Sequence, residues 1–276
     1  MKNTTIITVA ALLAAGTALA NATDYTVTLD STYYTNPNAW VYVWSGATDT
    51  TWNGDGNWGI LKKLTDASLV TGQTNKPTKS DPAFIGYTFS YENGVQILTS
   101  TNDSVVVTGA LSWFGASTRI YLGSNAKLVG SSNAFSASET ATFNFGNFDG
   151  SAIVEMADFW MQTSARVNFE GNVQMSGDSF SYTLFSSSSM KQMAGSWSAS
   201  SISVTDANGV ELIYTEDDSL KGTSGYYWLE CSEFVQNAAY SVVLKAAASI
   251  PEPSAFGLLA GLGALALAGT RRRRRK

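Results

Sequence analysis

The stretch ATFNFGNFDGSAIVEMADFWMQTSARVNFEGNVQM, residues 141–175, holds several β-patterned runs with no Asn-Gly pair at hairpin spacing between them. In Thr142-Phe143-Asn144-Phe145 two rings fall on one face and two polar side chains on the other, the period of two that a half-buried strand requires. Arg166-Val167-Asn168-Phe169 reads the same way. Val154, Ala157 and Trp160 stand at i, i+3 and i+6, which suggests a helix, but residues 154–162 read better as strand–turn–strand. Val105, Ile120, Phe143, Val154 and Val167 recur at irregular spacing, with Gly, Ser and Asn at the corners. That pattern favours a parallel β-solenoid, right-handed β-helix-like, whose coils stack and differ in loop length. An antiparallel β-sandwich is the alternative.

Outward from this stretch the pattern stays all-β. Further candidate strands lie at 25–29, 40–44, 83–89, 95–99, 104–108, 119–122, 127–129, 141–145, 152–156, 166–169, 173–175, 181–185, 202–205, 211–214, 226–229 and 241–245. The ends differ in kind. Lys2, the apolar run 6–15 and Ala18-Leu19-Ala20 have the layout of a cleavable signal peptide over 1–20, with a second small-residue site at Ala22. Residues 254–270 are uncharged and rich in Ala, Leu and Gly. As a helix they rise about 25 Å, near the lower limit for a membrane span. Gly257 and Gly261 also have the spacing of a small-residue helix contact. Arg271, Arg272, Arg273, Arg274, Arg275 and Lys276 follow and would stay on the cytoplasmic side. The body between these segments, 23–250, is long enough for one large all-β domain or two small ones.

Without Lys2, the six tail cations and Glu252, ten basic and 21 acidic residues remain, a net charge of −11 against −5 for the whole chain. So acidic a body argues against a nucleic-acid partner. The sequence has no histidine, which removes Ser-His-Asp and Cys-His catalysis and His-based metal sites. Cys231 is the single cysteine and reads as a buried, inert thiol in the 228–235 run. The serine block Ser186-Ser187-Ser188-Ser189 reads as a flexible turn.

Paired carboxylates are the remaining catalytic chemistry, as in a glycoside hydrolase. Glu155 with Asp158, and Glu216 with Asp217 and Asp218, are the densest sets. Glu155 falls opposite Val154 and Met156 on an ordinary solvent face, and 216–218 reads as a solvated hairpin. Asn53-Gly54-Asp55-Gly56-Asn57 opens like a Ca²⁺ loop. Trp58 then replaces the required Gly and Leu64 the bidentate Glu, so a tight turn is the expectation. No catalytic, cofactor or metal residues are assigned. Trp44, Trp52, Trp58, Trp113, Trp160, Trp197 and Trp228 are expected mainly in the core, with sugar stacking as the alternative role.

Pro251-Glu252-Pro253, the apolar span and the basic cluster together resemble the PEP-CTERM sorting domain of Gram-negative bacteria, over 251–276. The resemblance implies transient anchoring in the inner membrane. An exosortase-like membrane protease would then recognise Pro251, Glu252 and Pro253, cut nearby, and deliver the body to the cell surface or an extracellular polysaccharide matrix. A second, shorter resemblance is to autotransporter-like β-helix surface proteins. It rests on Trp44-Ser45-Gly46, Thr51-Trp52-Asn53 and Gly56-Asn57-Trp58 at one end, and on Tyr182-Thr183-Leu184-Phe185, Gly195-Ser196-Trp197, 202–204 and 212–214 at the other. The expected role is structural or adhesive. The alternatives are a polysaccharide-active hydrolase or lyase and a carbohydrate-binding module.

Overall fold

The computed structural model describes residues 25–34, 40–78, 81–109, 113–114, 118–135 and 139–248. Among them the body is all-β, with one 3-10 turn at Ser31–Tyr34 and no α-helix. The signal-peptide and sorting segments lie outside the described residues.

A small antiparallel sheet is built from β1 (Thr26–Thr28), β5 (Tyr87–Glu92) and β6 (Val95–Ser100), in the order β1-β6-β5. Two larger sheets carry the rest. The first contains β2 (Val41–Trp44), β3 (Trp58–Leu61), β4 (Pro82–Ile85), β9 (Thr118–Leu122), β11 (Thr140–Asn147), β13 (Arg166–Gln174) and β15 (Ser196–Thr205). Its order is β15-β13-β11-β9-β4-β2-β3. The second contains β7 (Val105–Val107), β8 (Trp113–Phe114), β10 (Ala126–Phe135), β12 (Ile153–Met161), β14 (Ser179–Met193), β16 (Ile213–Tyr214), β17 (Tyr226–Cys231) and β18 (Ala238–Ala247). Its order is β16-β17-β18-β14-β12-β10-β7, with β8 also on β10.

From 118 to 205 consecutive strands fall in alternate sheets. Each pairs in parallel with the strand two places along: β9 with β11, β11 with β13, β13 with β15, and likewise β10 with β12 and β12 with β14. The two sheets share one core. Phe159 of β12 and Phe185 of β14 pack on Trp197 of β15, at ring centroid distances of 6.0 and 4.8 Å. Strand β13 shows how the sequence produces this. Val167, Phe169 and Val173 point in, and Arg166, Asn172 and Gln174 point out. The ends depart from the parallel pattern, for β2 pairs antiparallel with β3, and β18 antiparallel with both β14 and β17. Both large sheets are therefore mixed, and neither closes on itself.

Strands β2, β3 and β4 are buried on both faces. Tyr42, Ile60, Ala83 and Ile85 join the main core, while Val41, Val43, Leu61 and Phe84 pack under the small sheet. Two-sided burial explains why 58–61 carries no alternation and was not expected as a strand.

Several expectations need correction. Residues 83–89 are two strands, because Gly86 turns at φ 77° and sends the chain into the small sheet. Residues 154–162 are not strand–turn–strand. All but Gln162 belong to the continuous β12, whose Ala157 and Asp158 both face outward, and this irregularity mimicked a helical spacing. Parallel partners on both sides, β10 and β14, satisfy its backbone along the whole length. The blocks 166–169 and 173–174 are likewise one strand, with Met175 just beyond its end. Ser186–Ser189 is no turn but the middle of β14, held between β12 and β18. Residues 216–218 do not sit in a hairpin, since β16 and β17 are parallel and the loop between them is a crossover.

Candidate functional site

The last strand ends where the sorting segment begins. Ala247 of β18 pairs with Ser179 of β14 and with Tyr226 of β17, and Tyr226 pairs in turn with Ile213 of β16. Inward neighbours Tyr227 and Ala246 are buried, so Ile213, Tyr226 and Ala247 form one outward row. Beyond the row the chain is pinned. Ala248 N–H donates to the Asp178 carbonyl at 3.0 Å, and Ser224 Oγ–H donates to the Ala248 carbonyl at 2.6 Å. The assigned sorting residues Pro251, Glu252, Pro253 and Arg271 to Lys276 lie outside the described residues.

Most of the carboxylates that sequence grouped are engaged by neighbouring cations or hydrogen-bond donors. Glu155 is on the outer face of β12, 2.7 Å from Lys127 Nζ on β10. Asp158 is 3.2 Å from Lys191 Nζ on β14. Both pairs are partly exposed and bridge adjacent parallel strands. Glu216, Asp217 and Asp218 lie in the exposed crossover. Asp218 pairs with Lys221, and Asp217 accepts hydrogen bonds from the Ser219 side chain and N–H, which lower its pKa.

The 53–57 segment is a turn organised from its last residue. Asn57 is fully buried. Its Oδ1 accepts from Thr48 N–H (2.9 Å) and Asp49 N–H (3.1 Å), and its Nδ2 donates to Asp49 Oδ1 (2.7 Å) and the Thr51 carbonyl (2.8 Å). Asp49, which the motif did not include, is thus its main partner. Hydrogen bonds from Thr51 and Asn57 hold the Asp49 carboxyl below its usual pKa. Among the described residues no three of His, Cys, Asp and Glu converge as metal ligands.

The tryptophans divide. Trp52 and Trp58 are buried and meet edge to face at 4.8 Å, with Trp58 Nε1–H donating to the Trp52 carbonyl at 2.9 Å. Trp44 closes on Trp58 at 4.9 Å. These rings fill the corner between β2 and β3. Trp228 is buried and Trp197 half-buried, but Trp160 is 45% exposed on the outer face of β12, in register with Gln192 of β14. Trp113 has no described side chain.

Cys231 is exposed at the end of β17, contrary to the buried thiol expected. Desolvation of the sulfur still raises its pKa, so it is the neutral thiol. The strand ends there, which opens its flank to solvent. Close by, Ser186, Ser187, Ser188, Ser232, Tyr240 and Ser241 line an open depression of about 300 Å³. Sequence reasoning missed it because the hydroxyls come from β14, β18 and the loop between β17 and β18. The serine block was the one available signal.

Residues 249–275 match the PEP-CTERM protein-sorting motif. The motif implies an exported surface protein processed by exosortase, a membrane protease. No curated protein and no solved structure matches the chain.

Proposed function

We propose that the body is a non-catalytic structural or adhesive component, held at the cell surface or within an extracellular polysaccharide matrix. The observation that carries this reading is the sorting motif at 249–275 on an acidic all-β body. The outer face of the second sheet supports adhesion. It presents the exposed Trp160 ring beside Gln192 and the Asp158–Lys191 pair, a ring with flanking hydrogen-bonding groups of the kind that holds a pyranose face. Engagement of Glu155 and Asp158 by lysines on neighbouring strands supports a scaffold over a hydrolase, which needs one protonated and one free carboxyl at a set separation.

We further read 118–205 as part of a short parallel β-solenoid, which β4 and β7 extend in parallel at one end and the antiparallel β18 covers on β14 at the other. In support, strands pair in parallel at every second place and corners stack closely. A Cβ on Gly195 would stand 2.3 Å from the Ala165 carbonyl, and one on Gly150 2.1 Å from the Ser124 carbonyl.

A glycan array probed with the exported protein, with turnover assayed on each hit, tests the role. Retention of an acidic or neutral polysaccharide without product is the expected result. Trp160→Ala is expected to weaken that retention about tenfold, the loss typical of one aromatic anchor. Release of shortened or unsaturated sugar products would overturn the reading in favour of an enzyme.

A further inference from the structure

The chain between the body and the sorting motif is very short. Ala248 is fixed through both its N–H and its carbonyl, and two residues separate it from Pro251. Three extended residue steps reach at most about 11 Å. Whatever grips Pro251, Glu252 and Pro253 must therefore stand against the end of the body where β18 exits.

That end is apolar at its rim. Ile213 is 62% exposed, and it shares the outward row with Tyr226 and Ala247, about 10 Å across three strands. Val210, three residues earlier in the Asp206–Val210 turn that leads from β15 into β16, is 48% exposed. Strand β16 is the last of its sheet, so this rim has one free backbone edge among the described residues.

We propose that the row Ile213–Tyr226–Ala247, with Val210, is the docking surface for the sorting protease on the outer side of the cytoplasmic membrane. The inference rests on the sorting role of the tail and deepens it by naming the surface of the body that the protease contacts. The tether length is the main argument, since it allows no gap between enzyme and body. Charge selects a protein over lipid. The exposed Glu216 and Asp217 lie in the crossover joining β16 to β17, and they would be repelled by anionic headgroups.

The test follows processing of the full chain in cells that contain the protease, by pulse labelling and the shift from precursor to product. Ile213→Asp is expected to slow conversion about fivefold or more, as for a charged interface anchor. Val210→Lys should do the same from a second position. Inserting eight Gly/Ser residues between Ala248 and Ser249 should restore the native rate to Ile213→Asp, because the tail then reaches the enzyme without the body. Native-rate processing of both single variants would overturn the proposal. So would failure of the insertion to restore the rate, which would place the defect in folding, in a second copy or at the lipid surface. Glu252→Ala separates the two levels. If it is processed like the native chain, the sorting role fails. If it blocks processing while Ile213→Asp does not, the docking surface alone fails.

Discussion

Asn57 shows how much one polar side chain can organise when it has no contact with water. Its amide satisfies the N–H groups of Thr48 and Asp49 and ties Asp49 to Thr51. Asn57→Ala orphans two backbone donors, so urea denaturation should register a loss of about 2–4 kcal/mol. In the core, Phe169 is fully buried and stacks 5.9 Å from Trp197. Phe169→Ala should cost about 3–5 kcal/mol by the same measurement. The tyrosines set the alkaline limit. Burial raises Tyr227, whose hydroxyl donates to the Ile202 carbonyl, to about 12, and raises Tyr42, Tyr121, Tyr182 and Tyr240 as well. A folded pKa above the unfolded value near 10 means full stability below about pH 10, lost as pH climbs toward the folded values. A melting series from pH 8 to 12 should be flat at first and then fall. At the acid end Asp49 and Asp217 have lowered values, so their contribution is present above about pH 4 and disappears as pH falls through the folded pKa.

Strands β12, β13 and β14 run longer than their sequence pattern. Alternation made Phe143, Phe145, Val167 and Phe169 legible as inward positions, and all four are in the core. Two things hid the rest. Where a strand is buried on both faces, as in Trp58–Leu61, the period of two vanishes. Where a strand lies between two partners, ladder hydrogen bonds carry it through weak formers such as Ser186–Ser189. Site legibility divides on the same physics. The tail motif is contiguous and readable, whereas the serine-lined depression and the Ile213–Ala247 row are assembled from separated strands. Corners make a prediction at this scale. Gly195→Ala places a methyl 2.3 Å from the Ala165 carbonyl, so it should lower the melting temperature, whereas neutralising the exposed ion pair with Glu155→Gln should cost less than about 1 kcal/mol.

Taken whole, the molecule is an acidic β-body on a short membrane-handled leash. The matched motif at 249–275 makes surface delivery depend on the tail, so removing Pro251 to Pro253 should leave unprocessed chain in the membrane fraction, read by immunoblot of fractions. Strand β18 sits at the junction of body and tail, and it is paired on both sides, along nearly its full length with β14 and over six residues with β17. Any drag on a chain tethered through its C-terminal end enters the body at Ala247. A pull along that strand stretches two ladders of hydrogen bonds simultaneously in shear, where a hairpin pulled sideways would open rung by rung. The junction thus has the geometry of a shear clamp.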